Sequence, residues 1–123
     1  MKRSRLRKAI SIDHAAKTTP AAIAAFDVLE LEGRDVRSLL VLERKMLLED
    51  LLDRSNQKRI FPTTYVVLNG VELFDAADQA ELEGIVAKRV GSLYRRGRSP
   101  DWLKIKTKHG RAIDEEREKW NER

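Results

Sequence analysis

Two short stretches in the C-terminal half contain charged residues whose spacing suits chemistry on phosphate groups. Lys104 and Lys106 alternate with apolar residues in a run that begins at Trp102. Because alternate side chains of a β-strand lie on the same face, the two ammonium groups are expected side by side. An anion between them, most commonly phosphate, would relieve their repulsion. A solvated face of a basic strand is the alternative interpretation.

The stretch that would pair with this run extends from Leu82 to Val90 and contains Glu83 and Lys88. We therefore predict two short strands joined by a basic loop. A regular strand places Lys88 on the opposite face from Glu83, so both could line one site only if the strand twists or bulges. The loop contains three closely spaced arginines, Arg95, Arg96 and Arg98.

Read together, these stretches resemble motifs of the ATP-dependent DNA ligases, and in particular of bacterial ligases related to the Ku-associated multidomain enzymes. The run 83–88 is similar to the fourth nucleotidyltransferase motif of that family, and the run 104–106 is similar to the fifth. Upstream, the run 25–33 resembles the strand that holds an aromatic side chain, here Phe26, against the adenine ring. The resemblance extends from about Leu6 to the C-terminus.

The resemblance implies ATP and AMP as ligands, with Mg²⁺, and nicked duplex DNA as a weakly bound partner. Lys104 and Lys106 would contact the α-phosphate. Glu83 would hold or orient the divalent ion, Phe26 would stack on the base, and Lys88 would be a further nucleotide contact. The three loop arginines would contact DNA.

One motif of the family is missing from the sequence. The ligases attack ATP with a lysine in a Lys-x-Asp-Gly motif, and this chain contains no Asp-Gly dipeptide. The resemblance therefore implies the C-terminal half of an adenylation domain, which would need a separate chain to supply the nucleophilic lysine. A non-catalytic DNA-binding module and a decayed ligase fragment are the alternatives.

Half of such a domain would leave strand edges and apolar faces uncovered, which favours a homodimer. A compact monomer, in which a helix folds over the open face, is the other possibility.

Composition bounds the class of protein. A chain of 123 residues corresponds to one domain. With 25 lysines and arginines against 20 acidic residues, its net charge of +5 favours a polyanionic partner. Cysteine is absent, which excludes disulfides and cysteine zinc sites. No apolar run is long enough to span a membrane, so we predict a cytoplasmic protein without a membrane partner.

The predicted fold class is α+β, a mainly antiparallel sheet with flanking helices. We expect a basic N-terminal segment over residues 1–22, the partial adenylation domain over residues 23–108 and a charged C-terminal helix over residues 109–123.

Within the domain, the apolar run Ile23–Leu31 predicts a central strand covered on both faces. Leucines at helical spacing predict a helix over Leu39–Leu52. The β-branched run Thr63–Leu68 predicts a strand, and the following residues favour either a hairpin, by their local turn chemistry, or a helix, by the resemblance. We predict the helix. Glu81 stands where the ligases usually carry glycine, which indicates an altered exit from this helix.

Overall fold

The computed structural model describes residues 9–122, so the first eight residues of the predicted basic segment lie outside the described range. The described chain forms four helices, α1 (Ala9–Thr18), α2 (Val41–Arg54), α3 (Gly70–Gln79) and α4 (Lys108–Asn121). It also forms six strands, β1 (Ile23–Ala25), β2 (Glu30–Leu31), β3 (Arg34–Asp35), β4 (Ile60–Pro62), β5 (Gly84–Lys88) and β6 (Trp102–Lys106). Among these residues, no helix is long and apolar enough to cross a membrane.

The strands form three separate pairs and not one sheet. β2 with β3 and β5 with β6 are antiparallel, whereas β1 and β4 are parallel. Parallel strands need a crossover connection, and α2 lies in the chain between β1 and β4. The α+β class is confirmed and the pairing is mainly antiparallel as predicted, but the described strands form three two-stranded sheets and not one sheet.

The predicted central strand Ile23–Leu31 is wrong, because its pairing stops at Ala25 and resumes only at β2. In the gap, the Asp27 carboxylate accepts a hydrogen bond of 2.8 Å from the Val28 N–H. Such a local side-chain contact to the backbone competes with ladder formation. The strand is also not covered on both sides, since the side chain of Phe26 is 57 % exposed.

The predicted helix over Leu39–Leu52 is present as α2, shifted by two residues at each end. Leu40 is its N-cap residue, in extended conformation, and its N–H donates to Glu43 Oε2 at 2.9 Å. This is the glutamate half of a capping box, which a leucine cannot complete with its own side chain.

The helix predicted after Gly70 is present as α3, but the strand before it lies at β4 and not over Thr63–Leu68. Leu68 has a φ of 72°, which is incompatible with a strand. Glu81, just after the helix, has a φ of 54°. It therefore adopts the left-handed conformation that glycine favours at helix ends, at the position where the ligases usually carry that residue.

The apolar core is small and lies between α2 and the β2–β3 pair. Val28, Val36 and Leu48 form its buried centre. A few partly buried residues pack around them, Ala25, Leu31, Leu39, Leu47 and Leu52. With so little buried apolar area, polar contacts carry a larger share of the stability of the fold.

A buried ion pair adjoins this core. The guanidinium of Arg44, with its side chain fully buried, donates from Nε to Asp27 Oδ1 at 2.8 Å and from Nη2 to Asp27 Oδ2 at 3.0 Å. Its Nη1 donates to the Leu39 carbonyl at 2.6 Å. The guanidinium carbon also lies 5.9 Å from the ring centroid of Tyr94. Arg44 thus joins α2 to the segment after β1 and to the loop after β5.

We expect Arg44→Met to lower the free energy of unfolding by about 3–5 kcal/mol, because it leaves the Asp27 carboxylate buried without its partner. Urea denaturation measures the change. Arg54→Met, on the same helix, removes an exposed pair with Asp50 and should cost no more than about 0.5 kcal/mol. Equal effects of the two substitutions would contradict the role assigned to the buried pair.

Candidate functional site

The β5–β6 hairpin presents a row of functional side chains on one face. Directly opposed residues of an antiparallel pair share a face. The register places Lys88 opposite Trp102, Val86 opposite Lys104 and Gly84 opposite Lys106. The predicted strand that begins at Trp102 is therefore confirmed as β6, with Lys104 and Lys106 on one face.

Lys104 and Lys106, the two lysines that β6 contributes to this row, have carboxylate partners. Lys104 Nζ donates to Glu83 Oε1 at 2.6 Å, and Lys106 Nζ contacts Asp114 Oδ2 of α4. The hydrogen bond from Lys104 and the charge of Lys104 hold the pKa of Glu83 below its ordinary value. Lys106 lowers the pKa of Asp114 in the same way. Carboxylates thus occupy the places at which the sequence predicts phosphate oxygens.

Thr107, which follows β6, fixes the end of the hairpin that contains Glu83. Its buried hydroxyl donates to the Leu82 carbonyl at 2.5 Å and accepts from the Gly110 N–H at 3.1 Å, which makes it the N-cap of α4. A Cβ atom at Gly110 would lie 2.0 Å from the Glu83 carbonyl oxygen, so only glycine fits. Thr107 is not among the site residues predicted from the sequence, although a threonine before a charged helix is a recognisable N-cap signal.

A cavity of about 980 Å³ opens beside the same hairpin, along β5 and at Trp102. Its lining is mostly apolar and comes from β1, α2, the segment 61–68, α3 and the hairpin. The lining contains four aromatic residues and two cations, namely Phe26, Phe61, Tyr65, Trp102, Lys45 and Lys88. An apolar cavity with a few placed polar groups is the usual form of a small-molecule site.

Lys88 projects between two of these rings. Its Nζ lies 4.0 Å from the ring centroid of Trp102 and 5.1 Å from that of Phe26. Burial lowers the pKa of Lys88, and the charge of Lys45 lowers it further. The structure therefore brings together Phe26 and Lys88, which the sequence predicts as nucleotide contacts.

Glu83 stands apart from this group. It precedes β5, whereas Lys88 ends the strand, and five residues of extended chain span roughly 17 Å. The predicted residues thus divide into a cavity group, Phe26 and Lys88, and a charged group at the other end of the hairpin, Glu83, Lys104 and Lys106. The two groups adjoin, because Gly84 and Val86 line the cavity and lie opposite the two lysines.

The loop between β5 and β6 exposes Arg95, Arg96 and Arg98. Gly97 has a φ of 81°, which turns the chain between them. Within residues 9–122, none of the three arginines forms an ion pair with a carboxylate.

The described residues contain no group of three or more histidine, cysteine, aspartate or glutamate side chains able to hold a metal ion. Glu83 offers one carboxylate. A Mg²⁺ ion there would take most of its ligands from water and from substrate phosphates, as this ion commonly does.

The described residues thus form an α+β domain in which an aromatic-lined cavity lies beside a strand face that carries two lysines. Residues 1–106 match the model of the ATP-dependent DNA ligase domain. The chain belongs to this family, and the resemblance noted in the sequence is confirmed.

Several curated proteins are similar to the chain. A probable DNA ligase of Dictyoglomus turgidum is 32 % identical over 105 residues, which are 81 % of this chain and 18 % of that protein. The bifunctional non-homologous end joining protein LigD of Bacillus subtilis is 34 % identical over 114 residues, covering 85 % of this chain and 18 % of that one.

The multifunctional non-homologous end joining protein LigD of Pseudomonas aeruginosa is 36 % identical over 81 residues, covering 66 % of this chain and 10 % of that protein. The chain therefore spans less than a fifth of the length of these relatives. No solved structure matches it.

We expect Lys104→Met to raise the pKa of Glu83 towards its ordinary value, because the substitution removes the hydrogen bond and charge that favour the ionised carboxylate. The pair stabilises the fold while Glu83 is ionised, so its contribution is lost as the pH falls through the lowered pKa. A carboxyl-carbon NMR titration of Glu83 measures the shift. Lys108→Met is the control and should leave the titration unchanged, whereas an unmoved pKa in Lys104→Met would refute the pairing.

Proposed function

We propose that the chain binds an adenine nucleotide in the cavity beside β5 and β6 and takes part in AMP transfer during DNA ligation. The observation that carries the proposal is the meeting of Phe26 and Lys88 in one cavity whose wall continues into the Lys104–Lys106 face. Membership of the ligase family supplies the chemical class of the ligand.

The cavity fits a purine base. More than half of the Phe26 side chain is exposed, so its ring face is available for stacking. The indole nitrogen of Trp102 is buried without a hydrogen-bond partner among the described residues. Because solvent does not reach this nitrogen, Trp102 offers a ligand in the cavity its ring surface and no donor.

The phosphate end of the nucleotide would lie along the hairpin. Lys104 and Lys106 are fixed in register by β6, and fixed cations stabilise the charge that develops on phosphate oxygens during AMP transfer. Phosphate would displace the carboxylates that now hold these lysines. Displacement frees Glu83, which could then hold Mg²⁺, an ion that neutralises charge on phosphate when bound.

We expect Phe26→Ala to weaken the binding of ATP and of adenosine by about tenfold, because a base stacked on an aromatic ring gains about 1–3 kcal/mol. Isothermal titration calorimetry measures both affinities. Trp120→Ala removes an aromatic residue that is 79 % exposed and does not line the cavity, so it should leave both unchanged. Affinities for ATP and adenosine that ignore Phe26→Ala would exclude stacking at this position.

A second candidate function is binding to the DNA backbone through the loop arginines. Its support is the exposure of Arg95, Arg96 and Arg98 on one loop, with no ion pair to a carboxylate in the described part of the chain. Unpaired guanidinium groups are well suited to phosphate, and such contacts confer little sequence preference.

Three phosphate contacts predict a slope of about −3 for the logarithm of the association constant against the logarithm of the salt concentration. Fluorescence anisotropy with a nicked duplex measures it. The double substitution Arg95→Glu with Arg96→Glu should weaken binding to all sequences alike and flatten the slope. The pair Arg34→Glu with Arg59→Glu changes the net charge equally on other elements and serves as the control. A slope near zero for the unmodified chain would rule out this interface.

A further inference from the structure

Two lysines from different elements converge on the cavity. Lys45 of α2 and Lys88 of β5 both line it, and each ammonium group lies over an aromatic ring. Lys45 Nζ is 4.7 Å from the ring centroid of Tyr65, and Lys88 Nζ is within 5.1 Å of two ring centroids. Lys45 Nζ also donates to the Phe26 carbonyl at 3.4 Å, while Lys88 lies over the ring of the same residue.

Neither ammonium group has a carboxylate partner in the range 9–122. Asp27 favours the charged form of both lysines and Glu49 favours that of Lys45, but neither acid forms an ion pair with them, and Asp27 is bound by Arg44. Burial is the largest effect and lowers the pKa of each lysine. Aromatic faces stabilise a cation by only about 0.5–2 kcal/mol, so these two charges remain largely uncompensated.

Lys104 and Lys106 are different, since each already holds a carboxylate. An anion that binds them must share the ammonium group with that carboxylate or displace it. It can meet Lys45 and Lys88 without displacing any acidic side chain, and it would offset both the desolvation and the mutual repulsion of the pair.

We propose that Lys45 and Lys88 together bind a phosphate group of the nucleotide. Lys88 is one of the nucleotide contacts named above, and Lys45 is the additional residue. This proposal rests on the proposed function, which gives the identity of the ligand. The position of the ligand's negative charge is inferred from the two cations that lack a carboxylate partner. Each lysine contributes a point charge with several donors, which suits a phosphate that has no single orientation.

The test compares three probes by isothermal titration calorimetry: ATP, adenosine and inorganic tripolyphosphate. Lys45→Met keeps most of the side-chain stem and removes the charge. We expect it to weaken ATP and tripolyphosphate binding by about tenfold, as the loss of a charge-assisted hydrogen bond does, and to leave adenosine binding unchanged. Lys119→Met, an exposed lysine of α4 away from the cavity, is the matched control and should change none of the three. Thermal denaturation verifies that both variants fold.

The outcomes separate this inference from the proposed function. If Lys45→Met binds ATP as tightly as the unmodified chain while Phe26→Ala does not, Lys45 has no role and the nucleotide site stands. If Lys45→Met weakens adenosine as much as ATP, Lys45 only shapes the cavity, and the inference is wrong. Tripolyphosphate binding that depends on Lys45, in a chain that binds neither ATP nor adenosine, would keep the anion position and reject the nucleotide. Binding of none of the three probes would reject both.

Discussion

A buried ion pair ties together segments of this fold that share no strand ladder, alongside backbone hydrogen bonds such as that from the Tyr94 N–H to the Arg37 carbonyl at 3.1 Å. The strands form three pairs that share no hydrogen-bonded ladder, and the apolar core is small. Arg44 bridges them, because its guanidinium binds Asp27 after β1 and lies over Tyr94 after β5. Tyr94 in turn packs edge to face against Trp102, with ring centroids 5.7 Å apart. Arg44 therefore helps to position two aromatic residues that line the cavity. Phe26 precedes Asp27 in the chain, and Trp102 packs against Tyr94.

The cations of the chain fall into classes that the net charge of +5 does not distinguish. Arg44 is fully compensated and structural. Lys104 and Lys106 are compensated by carboxylates that an anionic ligand could replace. Lys45 and Lys88 face aromatic rings, and the loop arginines face solvent. Partner groups, and not the number of positive charges, decide which of these side chains are available to a phosphate.

The sequence predicts well where the periodicity is strong and local. The run Trp102–Lys106 alternates strictly and is a strand, and α2 follows its leucines. The run Ile23–Leu31 fails at Asp27, whose carboxylate binds the Val28 N–H locally and also Arg44, 17 residues further along the chain, a contact that no local pattern reveals. The carboxylates on the two site lysines are hidden for the same reason, since they come from 21 and 8 residues away. The sequence does not single out Lys45, because a lysine on the polar face of an amphipathic helix has the same pattern as any solvent-exposed residue.

The tight contact at Gly110 determines how the two acids beside the lysines of β6 are anchored. The α4 backbone touches the Glu83 carbonyl with no room for a side chain, and Thr107 ties the same point to the Leu82 carbonyl. The two acids that pair with the lysines of β6 are therefore held through a single junction, Glu83 by its backbone contact with Gly110 and Asp114 by its place on α4.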